Sequence, residues 1–72
     1  MAKADNRTRV LAVERILQQA KAPLTPQEIA DRLKSRYDID ANRKTILDDI
    51  YALTRFINIQ YAGRNKGYYI ER

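Results

Sequence analysis

The four residues Thr25-Pro26-Gln27-Glu28 constrain this chain more tightly than any other stretch. Threonine followed three positions later by glutamate is a capping box, and proline stands at the first helical position, where its missing N–H costs nothing. Thr25 can accept from the Glu28 backbone N–H while Glu28 reaches back to the N–H of Thr25. A helix must therefore begin at Pro26. The preceding element must end before Ala22-Pro23-Leu24, because Pro23 cannot continue a helix and restricts the residue before it.

Two more helices follow from apolar spacing. Over residues 8–21, Val10, Val13, Ile16, Leu17 and Ala20 fall on one broad face of a 3.6-residue period. Leu11 sits off that stripe, as a single exposed leucine or as the residue to suspect if two copies meet. The helix opened by the capping box runs to about Tyr37, burying Ile29, Ala30 and Leu33, with Tyr37 beside them. Asp38-Ile39-Asp40 is a turn with an apolar plug, and Asp40 is a good N-cap for a third helix over residues 41–55. Ile46, Ile50 and Leu53 form its buried seam, and Phe56 is expected to close the core beneath it. Asp49 lies near that seam and calls for an arginine partner, Arg7 or Arg9.

The period then changes. Residues 58–61 alternate polar and apolar, as a strand does. Residues 62–67 form a turn with two glycines and two cations, and Tyr68-Tyr69-Ile70 is a return strand rich in β-forming residues. The expectation is a single domain over residues 1–72, with 1–6 as a mobile lead-in. It is mainly α: three helices and a C-terminal two-stranded hairpin, the order of a winged helix-turn-helix.

Composition bears on what such a domain can do. Cysteine and histidine are both absent from the 72 residues. That removes disulfides, thiolate chemistry, the commonest general base and the commonest metal ligand. The reading is therefore not an enzyme, with no cofactor and no metal. No apolar run approaches the roughly 18 residues of a membrane span, which predicts a soluble, cytoplasmic chain. Lysine and arginine total 14 against 9 acidic residues, a net charge of +5. Such a surplus favours a polyanionic partner.

A helix-turn-helix lays its reading helix in the DNA major groove and presents N-terminal residues to base edges. With Ile46, Ile50 and Leu53 inward, the opposite face of the third helix carries Lys44, Asp48, Tyr51 and Arg55, flanked by Thr45 and Leu47. Asn42 and Arg43 sit at its first turn, where backbone N–H groups can receive phosphate. Asp48 is the awkward member, because it repels phosphate. It either accepts from a cytosine amino group or pairs with Lys44, and the pairing is the simpler reading. The hairpin tip Arg64-Asn65-Lys66 suits phosphates or a narrow minor groove. The candidate DNA-binding set is thus Thr25, Gln27, Asn42, Arg43, Lys44, Thr45, Leu47, Asp48, Tyr51, Arg64, Asn65 and Lys66.

The chain resembles the N-terminal winged helix-turn-helix of bacterial transcriptional regulators of the WYL and DeoR-like type. The matching stretches are residues 9–17, 23–30 and 42–46, then Asp49-Ile50, Leu53 and residues 67–70, so the likeness spans nearly the whole chain. It implies double-stranded DNA binding by the third helix and the wing, usually as a dimer, in control of transcription. Three features depart from that pattern, the last concerning the family's ligand-sensing and dimerising region. Leu47-Asp48 replaces an aromatic-basic pair, and no glycine follows the third helix, whose end must be closed another way. The likeness covers no ligand-sensing or dimerising region, and no long apolar face or heptad repeat remains, so at most a weak homodimer is expected.

A competing reading keeps the fold and changes the partner: a small stand-alone winged helix that binds another protein, such as a phage or plasmid factor acting on a regulator or nuclease. Charge placement separates the two. Residues 1–36 carry 8 basic and 4 acidic side chains, and residues 37–72 carry 6 and 5, so the surplus is not concentrated in the reading half of the sequence.

Overall fold

The computed structural model describes residues 5–71. Three helices, α1 (Asn6–Gln19), α2 (Pro26–Tyr37) and α3 (Arg43–Leu53), precede an antiparallel hairpin of β1 (Ile59–Gly63) and β2 (Gly67–Ile70). This mainly helical order is that of a winged helix-like domain.

Each helix start is fixed by a side chain within four residues. Asp5 accepts from the Thr8 N–H at 2.7 Å, so Asp5 and Asn6 belong to α1 and not to the mobile lead-in. Residues 1–4 of that lead-in lie outside the described residues. The capping box of α2 forms on both sides: Glu28 N–H donates to Thr25 Oγ1 at 3.2 Å, and Thr25 N–H to Glu28 Oε1 at 2.9 Å. The cap of α3 is Asn42, which accepts from the Thr45 N–H at 2.8 Å. Asp40, the expected cap, is held instead by the Lys34 ammonium at 3.3 Å.

The helix ends depart further from expectation. α1 stops at Gln19 with Ala20 extended (ψ 137°), two residues short of Lys21, because the chain must run extended into Pro23 and Leu24. α2 ends where Asp38 enters the left-handed region at φ 55°. That reversal lets the Ile39 N–H donate back to the Leu33 carbonyl and sinks the Ile39 side chain into the core. Tyr37 stays exposed rather than joining Leu33. α3 ends at Leu53, so Arg55 lies in the following turn and off the outer helix face. No glycine closes this end. Thr54 donates its hydroxyl to the Tyr51 carbonyl at 2.6 Å, and the N–H groups of Phe56 and Ile57 both reach the Leu53 carbonyl at 2.9 Å. The tight turn carries Phe56 outward, 84% exposed, and brings Ile57 against the core in its place.

The core lies where the three helices meet the hairpin, with Val13, Ile16, Ile29, Leu33, Ile46 and Ile50 almost fully buried. One charge is buried with them. Asp49 accepts from Arg9 Nε at 2.6 Å and Nη2 at 2.9 Å, a two-pronged bridge from α1 to α3. It resolves the expected choice between Arg7 and Arg9. The bonds Arg9 donates to Asp49 are the main reason its guanidinium is held even above its ordinary value.

The hairpin pairs Ile59 with Ile70, Gln60 with Tyr69, Tyr61 with Tyr68 and Gly63 with Gly67, with a bulge between Tyr61 and Gly63. Leu24 joins it as a one-residue third strand: Leu24 N–H donates to the Tyr68 carbonyl at 2.9 Å and Tyr68 N–H to the Leu24 carbonyl at 2.7 Å. Gly67 is required there twice over. Its φ is +95°, and a Cβ would overlap the Leu24 carbonyl.

Candidate nucleic-acid interface

The Leu24–Tyr68 bridge decides where the hairpin tip goes. It binds Leu24, two residues before α2, to Tyr68 near the start of β2, so the turn at residues 64–66 is set beside the start of α2. The first turn of α3 opens onto the same place. Thr25, Pro26 and Gln27 from α2, Arg43 from α3, and Arg64 and Asn65 from the tip line one recess of about 540 Å³. Five of the twelve candidate residues meet there, from three elements far apart in sequence.

The electrostatics of the recess are positive. Among the described residues, the ion pairs are Arg9–Asp49, Lys34–Asp38 and Lys34–Asp40. Arg43, Lys44, Arg64 and Lys66 take part in none of them, and all four are exposed. The two helix N-termini differ. At α2, Thr25 and Glu28 already occupy each other's groups, and the Gln27 amide donates to Asp31 at 3.0 Å. At α3, Asn42 takes the Thr45 N–H, leaving the N–H groups of Arg43 and Lys44 with no acceptor inside the helix. The positive end of the α3 dipole therefore adds to the Arg43 charge.

The outer face of α3 continues from this recess. Lys44, Asp48 and Tyr51 are exposed, with Thr45 and Leu47 half-buried at its edges. The Lys44–Asp48 ion pair expected from the spacing is not made. The Asp48 charge acts instead on Arg9, adding to the field that holds that guanidinium protonated. Lys66 and Asn42 flank the recess without lining it.

Tyr61 and Tyr68 are not among the candidate residues, yet they border this surface. Paired across the hairpin, their rings stand 5.0 Å apart and tilted by 46°. The Tyr68 hydroxyl is pushed above its usual value, first by burial and then by Tyr51 and Tyr61, with Arg43 pulling the other way. Tyr68 therefore stays neutral. The cross-strand pairing of Tyr61 with Tyr68 is the available signal in the sequence, but it needs a register that the turn alone does not set.

Among the described residues, no helix is long and apolar enough to cross a membrane. Among the described residues, no group of three or more acidic side chains could hold a metal ion. Comparison with protein-family models, with curated proteins and with solved structures gives no match. The fold and the recess define a class, a small winged helix-like domain with a cationic recess where α2, α3 and the hairpin tip meet.

Proposed function

We propose that this chain is a DNA-binding domain of a transcriptional regulator, of the WYL and DeoR-like kind it resembles, acting in the cytoplasm without catalysis or cofactor. One observation carries the reading: Arg43 and Arg64, with no acidic partner among the described residues, converge on a recess at the start of α2. Two guanidinium groups and an open helix N-terminus suit a phosphate backbone. α3 enters the major groove, where Lys44, Thr45, Leu47, Asp48 and Tyr51 face base edges. The tip residues Arg64, Asn65 and Lys66 follow the backbone or the minor groove. The even spread of cations along the sequence is less of an objection once folding gathers them from separate elements.

A salt-dependent titration against random and enriched duplexes tests this. Lys66→Ala weakens all duplexes alike and lowers the salt slope by about one unit. Lys44→Ala costs about 1–3 kcal/mol on the preferred site and less on random DNA. Asp48→Ala raises non-specific affinity by removing a repulsive charge. A parent chain that binds no duplex at low salt refutes the DNA reading and leaves the protein-binding one.

A further inference from the structure

The end of the molecule away from the reading recess carries an apolar groove, partly floored by the core residue Leu53, that lies off the proposed DNA surface. Val10 and Leu11 on α1 form one wall of this open groove of about 420 Å³, and Leu53 at the end of α3 with Phe56 and Ile57 in the turn after it form the other. Two of these side chains are left in solvent: Phe56 is 84% exposed and Leu11 57%. An aromatic ring that the α3 turn pushes wholly outward, beside an exposed leucine, is the most water-exposed apolar feature among the described residues. The eleven residues of α3, at about 1.5 Å each, separate this groove from Arg43, so both surfaces can be occupied together.

The charges on the rim say what fits. Arg7 and Glu14, both on α1, flank the groove at its two ends. They lie symmetrically about the point between Val10 and Leu11. If a second α1 crosses antiparallel with a two-fold axis at that point, Arg7 of each copy meets Glu14 of the other. The two leucines then pack at the centre. Such a surface complements itself, which a C2 pair requires. An unrelated partner would have to supply the same acid–apolar–base order, whereas a second copy already carries it.

We infer that the Leu11–Phe56 groove pairs two copies of this chain, with their α1 helices antiparallel and Arg7 facing Glu14 across the axis. The inference does not depend on DNA binding. The pair is reversible and weak. Phe56 and Leu11 together offer on the order of 250 Å² of apolar surface, well below the roughly 800 Å² that each partner gives to a standard interface. The like net charge of +5 on each copy also opposes association.

Sedimentation equilibrium of the full chain tests this, over a range on the order of 10 µM to 1 mM. The expected weight-average mass rises with concentration from 8.4 kDa toward twice that value. Leu11→Asp and Phe56→Ser each hold the chain monomeric. Both residues are at the surface, and unchanged far-UV circular dichroism verifies that the fold survives. Charge reversal then tests the register. Arg7→Glu and Glu14→Arg each place like charges opposite one another and weaken self-association by roughly tenfold. In an equimolar mixture, one Arg7→Glu chain and one Glu14→Arg chain present opposite charges at both contacts, and dimer is restored. A glutamate at position 7 also suits the positive N-terminus of α1, so lost pairing there cannot be blamed on a weakened helix. A chain monomeric throughout the range overturns the proposal. So does a dimer indifferent to Leu11→Asp and Phe56→Ser. A mixture no stronger than either charge variant alone overturns the antiparallel register.

Discussion

Arg9→Met is expected to be far more damaging than its mirror substitution Asp49→Leu, although the two residues share one interaction. The Asp49 side chain is 5% exposed and that of Arg9 17%. Both Asp49 oxygens accept from Arg9, and no other side-chain donor among the described residues reaches them. Methionine at position 9 leaves a buried carboxylate without its partner, at a cost of about 3–5 kcal/mol. Leucine at position 49 leaves a guanidinium that sits nearer the surface on a flexible stem and can swing out to water, at a cost of about 1–2 kcal/mol. The double variant Arg9→Met/Asp49→Leu fills the same space with apolar atoms and should lie within about 1 kcal/mol of the parent. A chain of this length has a total stability of about 4–11 kcal/mol, so Arg9→Met alone removes a large part of it. Urea unfolding followed by circular dichroism measures all four proteins. With a slope of about 1 kcal/mol per molar urea, Arg9→Met moves the midpoint down by roughly 3 M or more. Equal losses from the two single variants would refute the asymmetry of burial. A double variant costing the sum of the singles would refute the coupling itself.

Three further outcomes follow from the geometry. Gly67→Ala should cost about 1–3 kcal/mol and speed amide exchange at Tyr68, because the new Cβ meets the Leu24 carbonyl; Gly63→Ala, with open space around it, should cost less, and equal losses in the melts would contradict this. Thr25→Ala removes one arm of the capping box and should lower stability by about 0.5–2 kcal/mol; an unchanged melting curve would mean that the cap bond is not held in solution. The Asp5 carboxyl is held below its usual range, first by the Thr8 backbone N–H. Its support for α1 is therefore present above that range and lost as pH falls through the lowered value. Thr8 amide protection should fall in acid for the parent, whereas Asp5→Asn, which caps without titrating, should show no such step.

Much of the fold is legible in local pattern, because caps and turns act over three or four residues. The start of α2 follows from Thr25, Pro26 and Glu28 with no reference to the rest of the chain. The seam of Ile46, Ile50 and Leu53 follows from helical period, and a charge at Asp49 beside that seam already demands a cation. Three helices and a hairpin are expected from these signals in the order observed. Where two local signals compete, the sequence does not choose. Asp40 is the expected cap of α3, yet the helix starts at Arg43 and Asn42 takes the Thr45 N–H, while Asp40 stays exposed beside Lys34. Phe56 and Ile57 are both apolar, and the direction of the turn after Leu53 decides which one is buried. The gathering of the candidate interface is a tertiary matter in full. Nothing within several residues of Leu24 indicates that its backbone will pair with Tyr68, far along the chain. That bridge sets the hairpin tip against the start of α2 and brings Arg64 to Arg43. Side-chain caps and helical period are written in neighbouring residues, so the sequence alone determines them. Backbone hydrogen bonds between distant segments depend on how the helices pack, so only the tertiary structure decides which cations share a surface.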